Sequence, residues 1–305
     1  MPITIFSHPS CYYHENGVDH PECPERLSAI NDQLIRSGME YVVMQLDASP
    51  ASREDLYLAH GKRYVDELFA KAPTEGHIWL DPDTVMGPKS LNAALHAAGS
   101  GINAVTKVMS GANQQAFCAI RPPGHHATRE QAMGFCLINN IAVAAEHALN
   151  QYGLQRVAIV DFDVHHGNGT EDIFKHEPRV LFCSSFEHPL YPYTGADSSN
   201  EHIINLPLAG GCKSSAWREQ VKQHWLPALD NFAPELILIS AGFDGHAEDD
   251  MAHFMLREDD YQWIAAELKQ LADKHCQGRV VAMLEGGYAL SALGRSVVAF
   301  LKGLM

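Results

Sequence analysis

The feature that most constrains the fold is a regular alternation between short apolar runs and longer amphipathic segments. The apolar runs lie at residues 3–6, 116–120, 157–164, 180–186, 203–208, 235–241 and 279–284. Segments with helical periodicity lie between them, at residues 24–37, 90–109, 139–152, 214–232, 259–275 and 290–301. Nearly continuous apolar runs are typical of strands covered on both faces. The alternation therefore predicts an α/β protein, a three-layer α/β/α fold around a mostly parallel sheet.

The composition predicts a single globular domain that spans residues 1–305. Hydrophobic residues make up 46% of the chain and charged residues 19%, which excludes the disordered and fibrous classes. No internal repeat or linker divides the sequence. No apolar stretch approaches the ~20 residues that span a bilayer, so we expect no membrane partner.

The charge balance argues against nucleic acid as a partner. The chain has 37 acidic and 22 basic residues, a formal net charge of −15. This charge repels phosphate backbones and favours cationic ligands, although an acidic surface also serves solubility alone.

The cysteines and the first residues of the chain indicate a cytoplasmic protein. The seven cysteines are scattered and form no C-x-x-C pair, which fits a reducing compartment. The chain begins without the basic segment and long apolar run of a secretory signal.

Polar motifs follow four of the predicted strands. Ligands of open parallel sheets bind beyond the carboxyl ends of the strands, so we expect these motifs to form one site. They are RPPGHHA at residues 121–127, DFDVHHGNG at 161–169, AGFDGH at 241–246 and EGGY at 285–288.

The second motif predicts a metal site. On an extended strand end, Asp163 and His165 point to the same side and can grip one ion. Asp244 follows another buried strand and is the natural third ligand. Three protein ligands of mixed nitrogen and oxygen type are typical of a catalytic zinc site with open positions. Fe²⁺ or Co²⁺ could also bind to these ligands. The alternative is that Asp163 caps a helix and His165 is a core histidine; Asp161, with the same strand parity, favours a metal.

The tandem histidines His125 and His126 predict a pair of bases with different proton affinities. Each ring can take its own orienting partner, and Asp161 and Asn168 are the available ones. The alternative is two hydrogen-bonded loop histidines without a catalytic role.

Together these motifs resemble the zinc-dependent histone deacetylase family, in particular its class II branch and the bacterial histone deacetylase-like and acetylpolyamine amidohydrolases. The resemblance runs from HPECPERL at residues 20–27 to EGGY at residues 285–288. It implies the arginase/deacetylase fold with about eight mostly parallel strands. It also implies a zinc-dependent amidohydrolase that removes acetyl groups from acetylated lysine or similar amines.

The resemblance assigns roles to individual residues. It implies zinc ligation by Asp163, His165 and Asp244. It implies that His126 is the general base, oriented by Asn168, and that Tyr288 stabilises the oxyanion. His125, backed by Asp161, would be the electrostatic neighbour of the base. Many relatives carry Asp at the position of Asn168, so His126 should be less strongly polarised here.

The resemblance extends to the substrate tunnel and to structural potassium. It implies tunnel walls at Gly134, Phe135 and Tyr191, a substrate contact at Gly287, and an acetate exit path beside Arg26. The potassium ligands that it implies, partly through backbone carbonyls, are Asp161, Asp163, His165, Ser184 and Ser185, with a second site near Phe174, Glu177 and Val180.

The substrate is expected to be an acetylated lysine side chain, with acetylpolyamines and other small acetylated amines as alternatives. The segment at residues 79–84 predicts a rim loop in which Asp81 or Asp83 holds the substrate backbone or amine, or simply caps a turn. Polyamine-selective relatives often have an acid at the pocket mouth, and Met251 aligns with that position.

Two competing functions are weaker. A two-manganese ureohydrolase of the same fold would need acids where this chain has Gly167 and His246. A non-catalytic protein that binds acetylated ligands or metal would not require the histidine pair or Tyr288.

Overall fold

Eight strands, which lie between residues 3 and 284, form one sheet in which every pairing between the described residues is parallel. The computed structural model describes residues 2–17, 19–111 and 114–305. The strands are β1 (Ile3–Ser7), β2 (Val43–Asp47), β3 (Ile78–Trp79), β4 (Val85–Met86), β5 (Gln115–Cys118), β6 (Val157–Asp161), β7 (Val180–Glu187), β8 (Ile203–Leu208), β9 (Leu236–Ala241) and β10 (Val280–Leu284). The sheet order is β2-β1-β5-β10-β9-β6-β7-β8, and β3 and β4 form a separate antiparallel pair.

The helices form two groups around this sheet. They are α1 (Glu25–Ser37), α2 (Arg53–Ala59), α3 (Lys62–Lys71), α4 (Ser90–Met109), α5 (Asn140–Gln151), α6 (Asn168–Phe174), α7 (Ser214–Gln220), α8 (Leu226–Phe232), α9 (Glu258–His275) and α10 (Leu290–Leu304). Helix α10 packs against α1 and α9, and helix α5 packs against α2 and α4. In the described part of the chain, no helix combines the length and apolar character needed to cross a membrane.

The prediction of an α/β fold with about eight mostly parallel strands is confirmed. The apolar runs became strands because both faces of the central sheet are covered: β5, β6, β9 and β10 consist entirely of buried residues. Strand β2 was missed because it lies at the sheet edge and four of its five residues are exposed. The predicted helix at residues 214–232 is divided by a π-helical turn at Val221–Trp225.

A buried ion cluster ties the first segment of the chain to the sheet. Glu22 accepts hydrogen bonds from Arg121 Nη2 at 2.8 Å and Arg26 Nη1 at 3.0 Å, and these side chains are fully buried. Arg121, just beyond β5, also donates to the carbonyls of Cys11 and His14. Arg26 continues the link by donating through Nε to the Gly287 carbonyl at 2.7 Å. The cluster therefore joins the N-terminal segment to two loops at the carboxyl edge of the sheet.

Replacing Glu22 by glutamine should lower the free energy of unfolding by about 3–5 kcal/mol, because it leaves buried guanidinium groups without their counter-charge. Chemical denaturation of the two proteins measures this difference. The control is Glu67→Gln, since Glu67 forms only exposed pairs with Arg63 and Lys71, and should cost less than about 1 kcal/mol. Equal effects of the two substitutions would contradict the role of Glu22.

The pH dependence of the same difference provides a second check. Burial acts to raise the pKa of Glu22, but the charges of Arg121 and Arg26 lower it to about 2, from an ordinary value of 4.5. The ionised group therefore stabilises the fold fully above about pH 5, and this contribution is lost as the pH falls towards 2. The gap between wild type and Glu22→Gln should shrink over that interval.

Candidate active site

The four polar motifs meet at one edge of the sheet. Strands β5, β10, β9 and β6 are consecutive neighbours, and all run in the same direction. Their carboxyl ends therefore lie side by side. The loops that follow carry the histidine pair, Tyr288, Asp244 and the Asp163–His165 segment.

Asp163, His165 and Asp244 form a possible metal site. Their ligand atoms all lie within 4.8 Å of one another, and all three residues are buried. His165 Nδ1 is 3.2 Å from Asp163 Oδ1 and 3.1 Å from Asp244 Oδ2. Within residues 2–17, 19–111 and 114–305, no other group of three His, Cys, Asp or Glu side chains lies within metal-binding range.

Two of these ligands lie in a loop, which corrects the prediction that the strand continues to residue 164. Strand β6 ends at Asp161, because the amide groups of residues 163–165 bond to side chains. Asp163 N–H donates to Asp161 Oδ1 at 3.1 Å, and His165 N–H donates to Asp163 Oδ1 at 2.9 Å. The side chains of Asp161 and Asp163 thus form two Asx turns in place of sheet pairing.

The backbone of the EGGY loop closes tightly around the two carboxylates. A Cβ atom at Gly286 would lie 2.1 Å from Asp244 Oδ2 and 2.7 Å from Asp163 Oδ2. Gly286 N–H donates to Asp163 Oδ2 at 2.8 Å. Only glycine permits this close approach of the backbone to the carboxylates. The loop therefore encloses both acids and donates an amide hydrogen bond to Asp163.

The donor set fits a divalent cation. Two carboxylates and one imidazole are the mixed oxygen and nitrogen ligands of an open catalytic site, with positions left for water and substrate. Burial and the charge of Asp163 raise the pKa of Asp244 to about 7, the direction expected for two acids in one dry site. A dication would compensate both negative charges.

The two histidines have different partners. His125 Nδ1 lies 2.9 Å from Asp161 Oδ2, and His126 Nδ1 lies 2.8 Å from Asn168 Oδ1. Their ring centroids are 4.0 Å apart. Because the Asn168 oxygen only accepts, His126 donates from Nδ1 and keeps a lone pair on Nε2. The structure therefore brings each ring to the orienting residue expected from the sequence.

These partners separate the pKa values of the pair. Burial acts to lower the pKa of His125, but the carboxylates of Asp161 and Asp163 hold it well above its usual range. Burial and the charges of His125 and His165 lower the pKa of His126 well below it. These shifts favour the cationic form of His125 and the neutral form of His126, which suits a base beside an electrostatic stabiliser.

A narrow cavity of about 130 Å³ opens onto the histidines and His165. Tyr191 meets the His126 ring edge-on at a centroid distance of 5.1 Å, and Phe135 meets Tyr288 in the same way at 6.3 Å. The walls are therefore mostly aromatic. The lining residues are Asp83, Pro123, His125, His126, Gly134, Phe135, His165, Tyr191, Met251, Gly286 and Tyr288.

A strained turn presents the Phe135 wall. Met133 and Cys136 exchange backbone hydrogen bonds, and the two residues between them, Gly134 and Phe135, have φ values of 58° and 66°. A Cβ atom at Gly134 would lie 2.4 Å from the His126 ring, so glycine is required there. Left-handed φ is costly for a phenylalanine, and such strain concentrates at functional sites.

The predicted rim residues divide into lining and supporting ones. Asp83 lines the pocket, and its Oδ1 accepts hydrogen bonds from Gly134 N–H and the Thr84 hydroxyl. Asp81 caps the turn by accepting Asp83 N–H at 2.9 Å. Among the described residues, neither Asp81 nor Gly287 belongs to the pocket lining. Asp81 instead holds the backbone at Asp83, and the Gly287 carbonyl accepts a hydrogen bond from Arg26.

Several of the residues named for potassium binding make contacts within the protein. Ser184 Oγ pairs with His166 Nδ1, and Ser185 Oγ accepts the indole N–H of Trp217. The carbonyls of Phe174 and Glu177 accept Glu177 N–H and Val180 N–H within one turn. Potassium binding at these positions stays a prediction.

Glu285 and Asp249 support the site although the sequence predicted no role for them, and Arg26, which the resemblance places beside an acetate exit path, supports it too. Arg26 is fully buried behind the EGGY loop and lies 5.0 Å from the centre of the Tyr288 ring. Glu285 Oε2 accepts Gly124 N–H at 2.6 Å and His125 N–H at 3.1 Å. Asp249 accepts Tyr288 N–H at 2.6 Å. Their positions within or beside the motifs were the only sequence signal, because their partners are distant along the chain.

Comparison with known proteins identifies the family. Residues 20–304 match the histone deacetylase domain. The chain is 36% identical to the histone deacetylase-like amidohydrolase of Pseudomonas aeruginosa, over 94% of this chain and 78% of that protein. It is also 36% identical to the polyamine deacetylase HDAC10 of Homo sapiens, over 96% of this chain and 47% of that protein. The HDA15 HD domain crystal structure superposes with a TM-score of 0.93 at 33% identity, covering 99% of this chain and 88% of that one. The chain therefore belongs to the histone deacetylase family of amide-hydrolysing enzymes, as its sequence motifs indicated.

Proposed function

We propose that this chain is a zinc-dependent deacetylase that hydrolyses the acetamide of acetylated lysine side chains, with residues 1–305 acting as one catalytic domain. One observation carries the proposal: an imidazole, His126, and a phenol, Tyr288, line the same narrow pocket as His165 of the possible metal site. Amide hydrolysis by an activated water needs a metal ion, a general base and an oxyanion donor around one carbonyl.

Asp163, His165 and Asp244 would hold the ion. Their mixed donors favour Zn²⁺, and Fe²⁺ or Co²⁺ share the same preferences. When bound, the ion supplies Lewis acidity and lowers the pKa of a water molecule. Because two of the three ligands are anionic, they offset the dication and increase the need for help from the surrounding side chains.

His126 would move the protons of the reaction. Its Nδ1–H is engaged by Asn168, so Nε2 accepts a proton from the attacking water. As the carbon–nitrogen bond breaks, His126 Nε2 donates that proton to the leaving amine nitrogen. The remaining proton of the water is lost from the new carboxyl group, to the amine or to solvent, which leaves acetate and the amine. The centroid of the His125 ring lies 4.0 Å from that of His126. In its cationic form, His125 stabilises the negative charge that develops on the acetyl group.

Tyr288 would donate a hydrogen bond to the oxyanion. Burial raises the pKa of Tyr288 well above its ordinary value, and Arg26 opposes this shift. The phenol therefore keeps its proton at neutral pH. Its ring is fixed between Phe135 at the pocket wall and the Arg26 guanidinium behind it.

The pocket walls suit a linear aliphatic stem. Phe135, Tyr191 and Met251 are among the residues that line the pocket around the histidines. Burial of the four methylene groups of a lysine side chain would contribute about 3 kcal/mol, at about 0.8 kcal/mol per group.

The substrate assignment rests on Met251. This thioether side chain lines the pocket where an acid would favour a second positive charge on the substrate. The neighbouring acids Glu248 and Asp249 do not line the pocket. Glu248 pairs with Arg295, and Asp249 is buried and accepts hydrogen bonds from backbone amides. Acetylpolyamine is the second candidate, since a relative is named a polyamine deacetylase and Asp83 lies in the pocket lining.

Two further expectations belong to the proposal. Potassium would bind beneath the catalytic loops through Asp161, Asp163, His165, Ser184 and Ser185, as in the family that the motifs resemble. The seven cysteines are all free, which supports a reducing compartment such as the cytosol.

Tyr288→Phe should lower kcat for an acetyl-lysine peptide by about 10²–10³-fold, because one oxyanion donor is lost while the ring packing is kept. Acetate release measures the rate, and a hydroxamate should abolish it in the wild type. The control is Tyr193→Phe, since Tyr193 is 71% exposed and lies in the neighbouring loop. Wild-type turnover by Tyr288→Phe would refute the assigned role.

Chelator-treated protein should lose activity and regain it on binding one Zn²⁺ per chain. Asp244→Asn should weaken zinc affinity by at least about 100-fold, because loss of a ligand costs more than loss of an outer partner. Equilibrium dialysis with metal analysis measures this, with the exposed neighbour Asp250→Asn as the control. Full activity after exhaustive chelation would contradict the proposal.

Met251→Glu should raise the ratio of kcat/KM for acetylputrescine to that for the acetyl-lysine peptide by about tenfold or more, since a carboxylate in the wall attracts the second amine. Met251→Gln separates charge from polarity and should change the ratio little. A wild-type preference of about 100-fold for acetylputrescine would overturn the lysine assignment and favour the polyamine alternative.

A further inference from the structure

Asp249 joins two loops that line the pocket from different parts of the chain. Its Oδ2 atom accepts Tyr288 N–H at 2.6 Å and Ala289 N–H at 2.9 Å. Its Oδ1 atom accepts Met251 N–H at 3.1 Å. The side chain is 5% exposed. One buried carboxylate therefore sets the backbone at both Tyr288 and Met251.

The backbone that carries Tyr288 needs such a restraint. Two glycines precede Tyr288, and Gly287 has a φ of 121°, so the local sequence does little to fix the loop. At its start, the loop is held by the bond from Gly286 N–H to Asp163 Oδ2. Asp249 holds the other end, just before α10 begins at Leu290.

The charge of Asp249 is well placed for this contact. The residue preceding α10, Ala289, has no side chain that could cap the helix. The free amide groups at the start of a helix favour an anion. Asp249 supplies this anion from a loop 40 positions away, so the contact stabilises the helix start and the loop together.

The adjacent acids lack this arrangement. Glu248 is exposed and forms an ion pair with Arg295, whose Nη2 atom lies 2.8 Å from Glu248 Oε1. Asp250 is exposed. Of the three consecutive acids, Asp249 is the buried one whose oxygens receive amides from the pocket loops.

We propose that Asp249 is a positioning residue for the hydrolysis: it acts through the Tyr288 backbone to hold the phenol where the oxyanion forms. This inference rests on the proposed role of Tyr288 as oxyanion donor. Displacement of a catalytic group by about 1 Å can cost about 100-fold in rate. Asp249 does not line the pocket, so its effect on kcat depends on the Tyr288 hydroxyl.

A double-mutant cycle tests this dependence. Asp249→Asn keeps the shape, but its amide has one accepting oxygen and one donating nitrogen, so it cannot accept amides on both sides. We expect a loss of about 10- to 100-fold in kcat, with KM for the acetyl-lysine peptide changed less than about threefold and zinc affinity retained. In the Tyr288→Phe background, the same substitution should cause little further loss, because no hydroxyl remains to be positioned.

Asp250→Asn is the matched control and should retain wild-type kcat. Thermal unfolding of each variant separates loss of fold from loss of rate. The inference is overturned if Asp249→Asn turns over like wild type, or if its loss multiplies with that of Tyr288→Phe, as a general structural defect would. Wild-type turnover by Tyr288→Phe alone would refute the proposed role of that residue, and this inference with it.

Discussion

Two buried carboxylates, those of Asp163 and Asp244, share a small volume with the His165 imidazole, and the surrounding structure compensates their charge. Asp163 receives amides from His165 and Gly286, and Asp244 Oδ1 receives the Val164 amide at 3.0 Å. A buried ionised acid is costly without such donors. Strand amides are engaged in the sheet, so only the loops beyond the strands can supply free ones. This requirement fixes the site at the carboxyl edge.

The same edge gives the two histidines their different chemistry. Both follow one strand and lie in one loop, yet His125 pairs with a carboxylate and His126 with an amide. The proton affinity of each ring follows from that partner and from burial. Asp161 also accepts the Asp163 amide, so the electrostatics of the histidine pair and the shape of the loop that carries Asp163 and His165 depend on one side chain.

Much of the fold could be predicted because its central strands are covered on both faces, which leaves continuous apolar runs in the sequence. Strand β2 lies at the edge of the sheet with four of its five residues exposed, and it left no such run. The end of β6 was misplaced for a different reason. Val164 is as apolar as the strand before it, but the Asp161 and Asp163 side chains capture the amides that would have continued the sheet. Hydrophobicity does not report this competition.

The sequence by itself determined the kinds of chemistry and their order along the chain: which strands end in acids, histidines or tyrosine, and hence the family. The tertiary structure alone decided which groups support them. Asp249, not its acidic neighbours, holds the Tyr288 backbone, and Arg26 is buried behind the same loop across 261 positions. The physical reason is that these contacts join segments remote in sequence, and a side chain acquires its burial and its partners only when the loops meet.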